Sequence, residues 1–360
     1  MKYKISVTLA VMVLLNSIVT AQFSEKRTYS NTFRTSRETT LEVVNKYGTI
    51  HITSWKKDSV SVRAEVEASS SNATRPGKML AGVNITITGT DYLVRARTEF
   101  TETINMLFES FKGMTNKLIP YESKIQINYF ISMPDYMGLR LENKYGDIYM
   151  ENNTGSISVN QSNGSFKANS LQKVNDLNLT FCDATINSIS TASIDASFSE
   201  LVIAEAGNLV INSISSRYDI KRCDYLSTES RRDKFFLGDI KKIKGNAYFS
   251  DYRIDRLGTE AEVTAKYGSF TISLVGKETE LISLNSGYSD VNLTLDDGLS
   301  CNLDIRQVNA FLTLPEKNTS TEKKAVSEEK KEYVTFGTIG KGQPKTKIRI
   351  DANRGNIFIR

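Results

Sequence analysis

The chain has 360 residues, 39% of them hydrophobic and 24% charged, with a formal net charge of +5, a single histidine and three cysteines. So small a positive excess gives no nucleic-acid footprint, and three scattered cysteines cannot staple a fold, so stability has to come from a packed core. A single histidine leaves no histidine-rich metal site, and as His51 falls in a strand-like run it reads as a surface strand residue rather than the base of a Ser-His-Asp triad.

In chain order, Lys2 and Lys4 precede an uncharged run from Ile5 that ends Val19-Thr20-Ala21. Charged, apolar and small-residue segments in that order make a cleavable secretory signal, and the run is short for the roughly 20 residues of a membrane anchor. The sequence predicts a signal peptide over 1–21 and a mature chain beginning at Gln22. Its address is exported: periplasm, cell surface or extracellular medium. Removing the two lysines leaves +5 − 2 = +3. No later run reaches the roughly 18 apolar residues of a span, so the mature chain is expected to lack a transmembrane segment.

Residues 22–135 read as an N-terminal β region, with strand-like runs at Ser59–Val66, Val83–Thr88, Tyr92–Ala96 and Lys124–Ser132. Between 101 and 118 the residues Ile104, Leu107, Phe108, Phe111, Met114 and Leu118 fall at helical spacing, and Pro120 ends the run. That helix is expected to cap an open end of the fold. A membrane or partner helix is the alternative, against which stands a polar face without basic bias.

A twelve-residue frame recurs along the chain. LEVVNKYGTIHI from Leu41 and LRLENKYGDIYM from Leu139 have apolar residues at positions 1, 3, 10 and 12 and a small one at position 8. Copies follow from Ile157, Ala261, Ile282 and Ile348, with looser ones from Leu177, Ala192, Leu209, Leu226, Ile243 and Leu303. Starts from 139 to 303 lie 15 to 21 residues apart, mostly 17 or 18. Alternation at 1 and 3, and again at 8, 10 and 12, marks two short strands joined at a corner rich in Asn, Lys, Ser and Asp. A unit this short cannot bury its own apolar face, whereas stacked copies cover one another.

The expected fold is therefore all-β: a single-stranded β-solenoid, or β-helix, of about 17–18 residues per rung over 136–360. The rival is an antiparallel meander forming a sandwich or barrel. Position 8 holds Gly, Ser or Ala in nearly every copy, which reads as steric exclusion inside a tight corner. Residues 315–333, PEKNTSTEKKAVSEEKKEY, are charged with both signs and read as a disordered insertion.

Two surface features are candidate partner-binding sites. One is the basic cluster Arg231, Arg232, Lys234, Lys241, Lys242 and Lys244. The other is an aromatic ladder at position 7, with Tyr145, Phe198, Phe249, Tyr267 and Tyr288 after a first copy at Tyr47. A solvated charged face, and rings packed on one another, are the plainer readings of the two. Cys182, Cys223 and Cys301 occupy unrelated places in the frame, without zinc-site spacing, and no long loops project from consecutive copies to build a carboxylate active site. No enzyme activity, metal or cofactor is expected.

With Asn45-Lys46-Tyr47-Gly48, the strand Ile125–Ser132 ending Met133-Pro134, and Asn143-Lys144-Tyr145-Gly146-Asp147-Ile148, the chain resembles the bacterial putative-adhesin β-strand-repeat family common in Bacteroidetes, a domain of unknown function. The resemblance covers nearly all of the mature chain and implies a β-solenoid at the cell envelope with an adhesive role. It carries over no functional residues. The expected function is a non-enzymatic envelope or surface protein that binds a protein or glycan. A periplasmic partner or sensor module in envelope signalling is the alternative, and a polysaccharide-active β-helix enzyme stands behind both.

Overall fold

A computed structural model describes residues 22–102, 104 and 123–360. The expected signal peptide, and nearly all of the expected helix over 101–118, lie outside the described residues. The chain is almost entirely β.

The N-terminal part contains β1 (Phe23–Arg34), β2 (Thr40–Lys46), β3 (Ile50–Ser54), β4 (Ser59–Ser70), the short helix α1 (Arg75–Ala81), β5 (Val83–Gly89), β6 (Leu93–Phe100) and β7 (Ser123–Met133). The repeats follow as β8 (Gly138–Lys144), β9 (Ile148–Ser197), β10 (Glu200–Ile214), β11 (Arg217–Arg231), β12 (Lys234–Tyr248), β13 (Asp251–Lys266), β14 (Ser269–Val275), β15 (Leu281–Gly287) and β16 (Asp290–Leu295). The chain ends with β17 (Cys301–Thr313), β18 (Thr319–Ser327), β19 (Glu332–Ile339) and β20 (Thr346–Ile359).

Equivalent frame positions lie side by side. Leu41 faces Leu139 and Leu139 faces Ile157; Ala192, Leu209, Leu226, Ile243, Ala261 and Ile282 continue the row, each parallel to the next. Like apolar residues therefore meet across each ladder, and the buried side chains form one continuous core. β2 and β3 pair with β8 and β9, so the N-terminal region shares that core.

The structure departs from the pattern expected from the sequence in four places. The copy placed at Leu177 is two residues out of phase: Leu201 faces Ala184 and the Cys182 amide meets Ser199 Oγ at 3.1 Å, so this copy starts at Asn175 and Cys182 occupies position 8. Asn175 breaks the apolar pattern at position 1, so the apolar residues alone point to a start at Leu177. Secondly, chain order and spatial order part company at the C-terminus. The last copy, from Ile348, lies between those from Ile282 and Leu303, pairing in parallel with β15 on one side and β17 on the other.

Thirdly, residues 315–333 are not a disordered insertion. Thr319–Ser327 is a strand paired antiparallel with β19, and β19 in turn pairs antiparallel with β17. Both faces of β18 are wet, so it lacks the apolar alternation that would have revealed it. Its ladder is supplemented by Lys323 over the Tyr333 ring and Lys324 over Phe336.

Fourthly, both ends of the parallel stack change to antiparallel pairing. At the N-terminal end β5 covers β6, β4 covers β7 and β1 covers β4; at the other end β19 and β18 cover the first half of β17. Antiparallel strands are thus what close the described ends.

Candidate functional site

The corner between the two strands of the frame is built differently in two groups of copies. In the first, position 5 is a long amide and position 8 a glycine: Asn45 with Gly48, Asn143 with Gly146, Gln161 with Gly164. Asn143 Nδ2 donates to the carbonyls of Gly48 and Asp147 at 3.1 and 3.2 Å, and Gln161 Nε2 to those of Gly146 and Ser165 at 3.0 and 2.8 Å. A Cβ on Gly146 would overlap the carbonyl of Gly48, and one on Gly164 that of Gly146.

In the second group position 5 is Ala or Ser, and position 8 is a hydroxyl or carboxyl reaching the preceding copy. Ser199 Oγ accepts from the Cys182 amide at 3.1 Å, Ser216 Oγ from Ser199 at 3.2 Å, Asp233 Oδ1 from Ser216 at 2.7 Å, and Ser250 Oγ from Asp233 at 3.1 Å. Asp233 is a buried carboxyl in a row of hydroxyls; burial raises its pKa above the ordinary aspartate value, opposed by hydrogen bonds from the Ser216 amide and the Ser230 hydroxyl.

Position 7 turns the corner in the left-handed region in every copy. Tyr47, Tyr145, Asn163, Phe181, Phe198, Ser215, Arg232, Phe249, Tyr267, Tyr288, Asn309 and Arg354 all have φ between +47° and +64°. Asn suits that conformation, while bulky aromatics are rare in it. The side chains leave the surface there: Phe181, Phe198 and Phe249 are 57%, 55% and 53% exposed.

Neighbouring rings stack. Centroids are 5.4 Å apart for Tyr47–Tyr145, 5.1 Å for Phe181–Phe198, 4.8 Å for Phe249–Tyr267 and 5.1 Å for Tyr267–Tyr288. The guanidinium of Arg354 lies over Tyr288 at 4.9 Å. The five expected ladder residues all lie on this column. Phe181 belongs with them, at position 7 of the copy that starts at Asn175, where the absence of an apolar residue at position 1 hides it in the sequence. A second stack, Tyr218–Phe235–Tyr252–Phe270, is buried at position 10 and belongs to the core.

The basic residues divide between faces. Arg232 and Lys234 line a concavity on the position-7 corner together with Phe198, Ser215, Ser216 and Arg217. Lys241 lines a separate groove at the next corner, where Glu205 pairs with Arg222, and Asp239 with Arg256 at 2.7 Å. Lys242 meets Glu260 at 3.1 Å and Lys244 meets Glu262 at 2.5 Å, so their charges are largely answered. Among the described residues, Arg232 and Lys234 make no ion pair.

His51 is sandwiched between Phe130 and Tyr149 at 5.4 and 5.0 Å. Cys182, Cys223 and Cys301 are buried, unbridged thiols, each with its pKa raised by burial. Among the described residues no three of His, Cys, Asp and Glu gather as a metal site, and no helix is long and apolar enough to cross a membrane.

No protein-family model matches the chain, and no curated protein matches it. Among solved structures it is similar to a putative adhesin from Bacteroides fragilis, at 14% identity over 66% of this chain and 95% of that one, with a TM-score of 0.33. It is also similar to a putative cell adhesion protein from Clostridium sporogenes (9% identity, 93% and 100% coverage, TM-score 0.16). A putative adhesin from Parabacteroides distasonis is a third (10%, 75% and 90%, TM-score 0.25).

Proposed function

We propose that the chain is an exported, non-enzymatic β-solenoid that binds a glycan or protein partner at the cell envelope, and that the position-7 corner is its working face. Parallel pairing of like frame positions supports the solenoid reading, since offsets of 17 residues recur from Glu200 to Arg217 to Lys234 to Asp251.

The observation that carries the functional reading is the column of exposed rings on left-handed backbone. A non-glycine residue in that conformation costs about 1–3 kcal/mol, and a stacked aromatic pair returns about 0.5–1.5 kcal/mol. Stability alone therefore gives the corner no reason to prefer Phe or Tyr over Asn, which two copies carry. Rings presented to water at a regular spacing are instead suited to contact with another molecule.

The test is capture of envelope glycans and proteins by the full mature chain and by a variant combining Phe181→Ser, Phe198→Ser and Phe249→Ser, with thermal melts of both. The variant is expected to keep its fold and lose the captured material. Equal capture by both would overturn the assignment of this face. Polysaccharide cleavage by the purified chain, abolished by a single carboxylate substitution, would replace binding with catalysis.

A further inference from the structure

The ring column is interrupted at Asn163 and again at Ser215 and Arg232. Phe181 stacks under Phe198, but the next position-7 residue is Ser215 and the one after it Arg232, before rings resume at Phe249. Tyr267 has a ring on both sides, whereas Tyr145, Phe181, Phe198 and Phe249 each stack on one side only. One face of Phe198 meets Phe181, while on its other side the side chain is that of a serine, and it is this open face that lines a surface concavity.

Strands in a sheet are spaced by about 4.8 Å, so Phe198 and Arg232, two steps apart, are separated by about 9.6 Å. Stacked rings in this column sit 4.8 to 5.4 Å apart. The space above Ser215 is therefore one ring deep. It coincides with a surface concavity of about 480 Å3 lined by Phe198, Ser215, Ser216, Arg217, Arg232 and Lys234, with Glu200 and Asp183 on its lower side.

Charge is graded across it. The acids lie below Ser215, level with Phe198 and Phe181. Glu200 is already engaged by Arg217 at 3.3 Å, and Arg217 also lies over the Phe236 ring at 4.1 Å. Above Ser215 are Arg232 and Lys234, which make no ion pair among the described residues. A ring entering the slot meets an aromatic face below and unanswered cations above.

We propose that the gap at Ser215 is a binding slot for one acidic sugar ring, a uronic-acid residue of a polysaccharide, stacked on Phe198 with its carboxylate held by Arg232 and Lys234. The proposal rests on the reading of this corner as the working face and names its ligand class. Stacking supplies the sequence-tolerant contact, and the arginine fork fixes a carboxylate better than a neutral hydroxyl.

The column also supplies the variant that tests the slot. Aromatic residues already occupy the position equivalent to Ser215 in most copies, so Ser215→Tyr should be accepted by the backbone and should fill the gap; Ser215→Asn, the type found at 163 and 309, is the milder control. Binding of oligogalacturonate and of neutral galactan oligomers of equal length is measured by calorimetry at fixed salt. Wild type is expected to bind oligogalacturonate at least tenfold more tightly than galactan, and Ser215→Tyr to lose at least tenfold without a lower melting temperature.

Arg232→Glu with Lys234→Glu should abolish the preference for the acidic oligomer. Unchanged oligogalacturonate binding by Ser215→Tyr, equal binding of galactan, or binding only of an acidic Tyr-containing peptide would overturn the slot. If the triple phenylalanine variant loses envelope capture while Ser215→Tyr leaves oligogalacturonate binding untouched, the slot fails and the working face stands. If neither variant changes anything, the face itself is wrong.

Discussion

At the residue scale, positions 5 and 8 solve one problem in two ways. Both project into the inside of the corner, where there is room for a long amide or for a Ser side chain, but not both; Asn143 and Gln161 go with glycine, Ser213 and Ser230 with Ser216 and Asp233. Replacing Gly146 by Val puts carbon against the Gly48 carbonyl, which belongs to backbone and cannot rotate away, and should cost roughly 3 kcal/mol or more. Tyr145→Ser loses one stacked ring on the exposed side, about 1 kcal/mol. Thermal melts of the two variants should rank in that order, and equal losses would mean the inside and outside of the corner are reversed.

Asp233 gives a second residue-scale expectation. Because the folded state raises its pKa above the unfolded value, the fold favours the protonated form, and the contribution to stability present at low pH is lost as pH rises from about 3.9 through the raised value. Asp233→Ser restores the residue found in the flanking copies and should melt higher than wild type at neutral pH, with the advantage gone below about pH 3.5. A gain that is the same at both pH values would show that the carboxyl is not the cause. The steric demand at position 8 was legible in the sequence, because Gly, Ser and Ala have small size in common. The left-handed turn at position 7 was not: Tyr and Phe there mask the signature that Asn163 and Asn309 alone would have given.

At the element scale, β20 is an insertion rather than an ending. Ile348, Ile350, Ile357 and Ile359 are essentially buried between copies contributed by residues 281–295 and 301–313. At about 2 kcal/mol for each buried isoleucine, their transfer is comparable with the whole stability of many domains. Removing residues 346–360 should therefore expose everything from β15 onward to limited proteolysis. Resistance equal to wild type would refute the inserted position. The repeat identified these strands from sequence alone, but their order in space could not be read, because every copy offers the same apolar pattern to either neighbour. β18 was illegible for the opposite reason: a strand wet on both faces has no alternation to detect.

At the scale of the whole molecule, the exposed edge strands are heavily charged: β1 carries Glu25, Lys26 and Arg27, and β18 carries Glu322, Lys323 and Lys324. Charged antiparallel edges oppose indefinite end-to-end pairing, which a stack of identical parallel repeats otherwise invites. A single core running between such ends holds the position-7 column at one repeat distance along its length, so the interruption at Ser215 has fixed dimensions. All of this rests on the copies lying parallel, in register, with the last one between its predecessors. Paired cysteine substitutions on the exposed face test that directly. Arg349 faces both Ser283 and Asp304, so Ser283 and Asp304 are two strands apart, about 9.6 Å, beyond the reach of a disulfide. Under mild oxidation, Ser283→Cys with Arg349→Cys is predicted to crosslink and Ser283→Cys with Asp304→Cys to remain reduced; the reverse outcome would contradict the account.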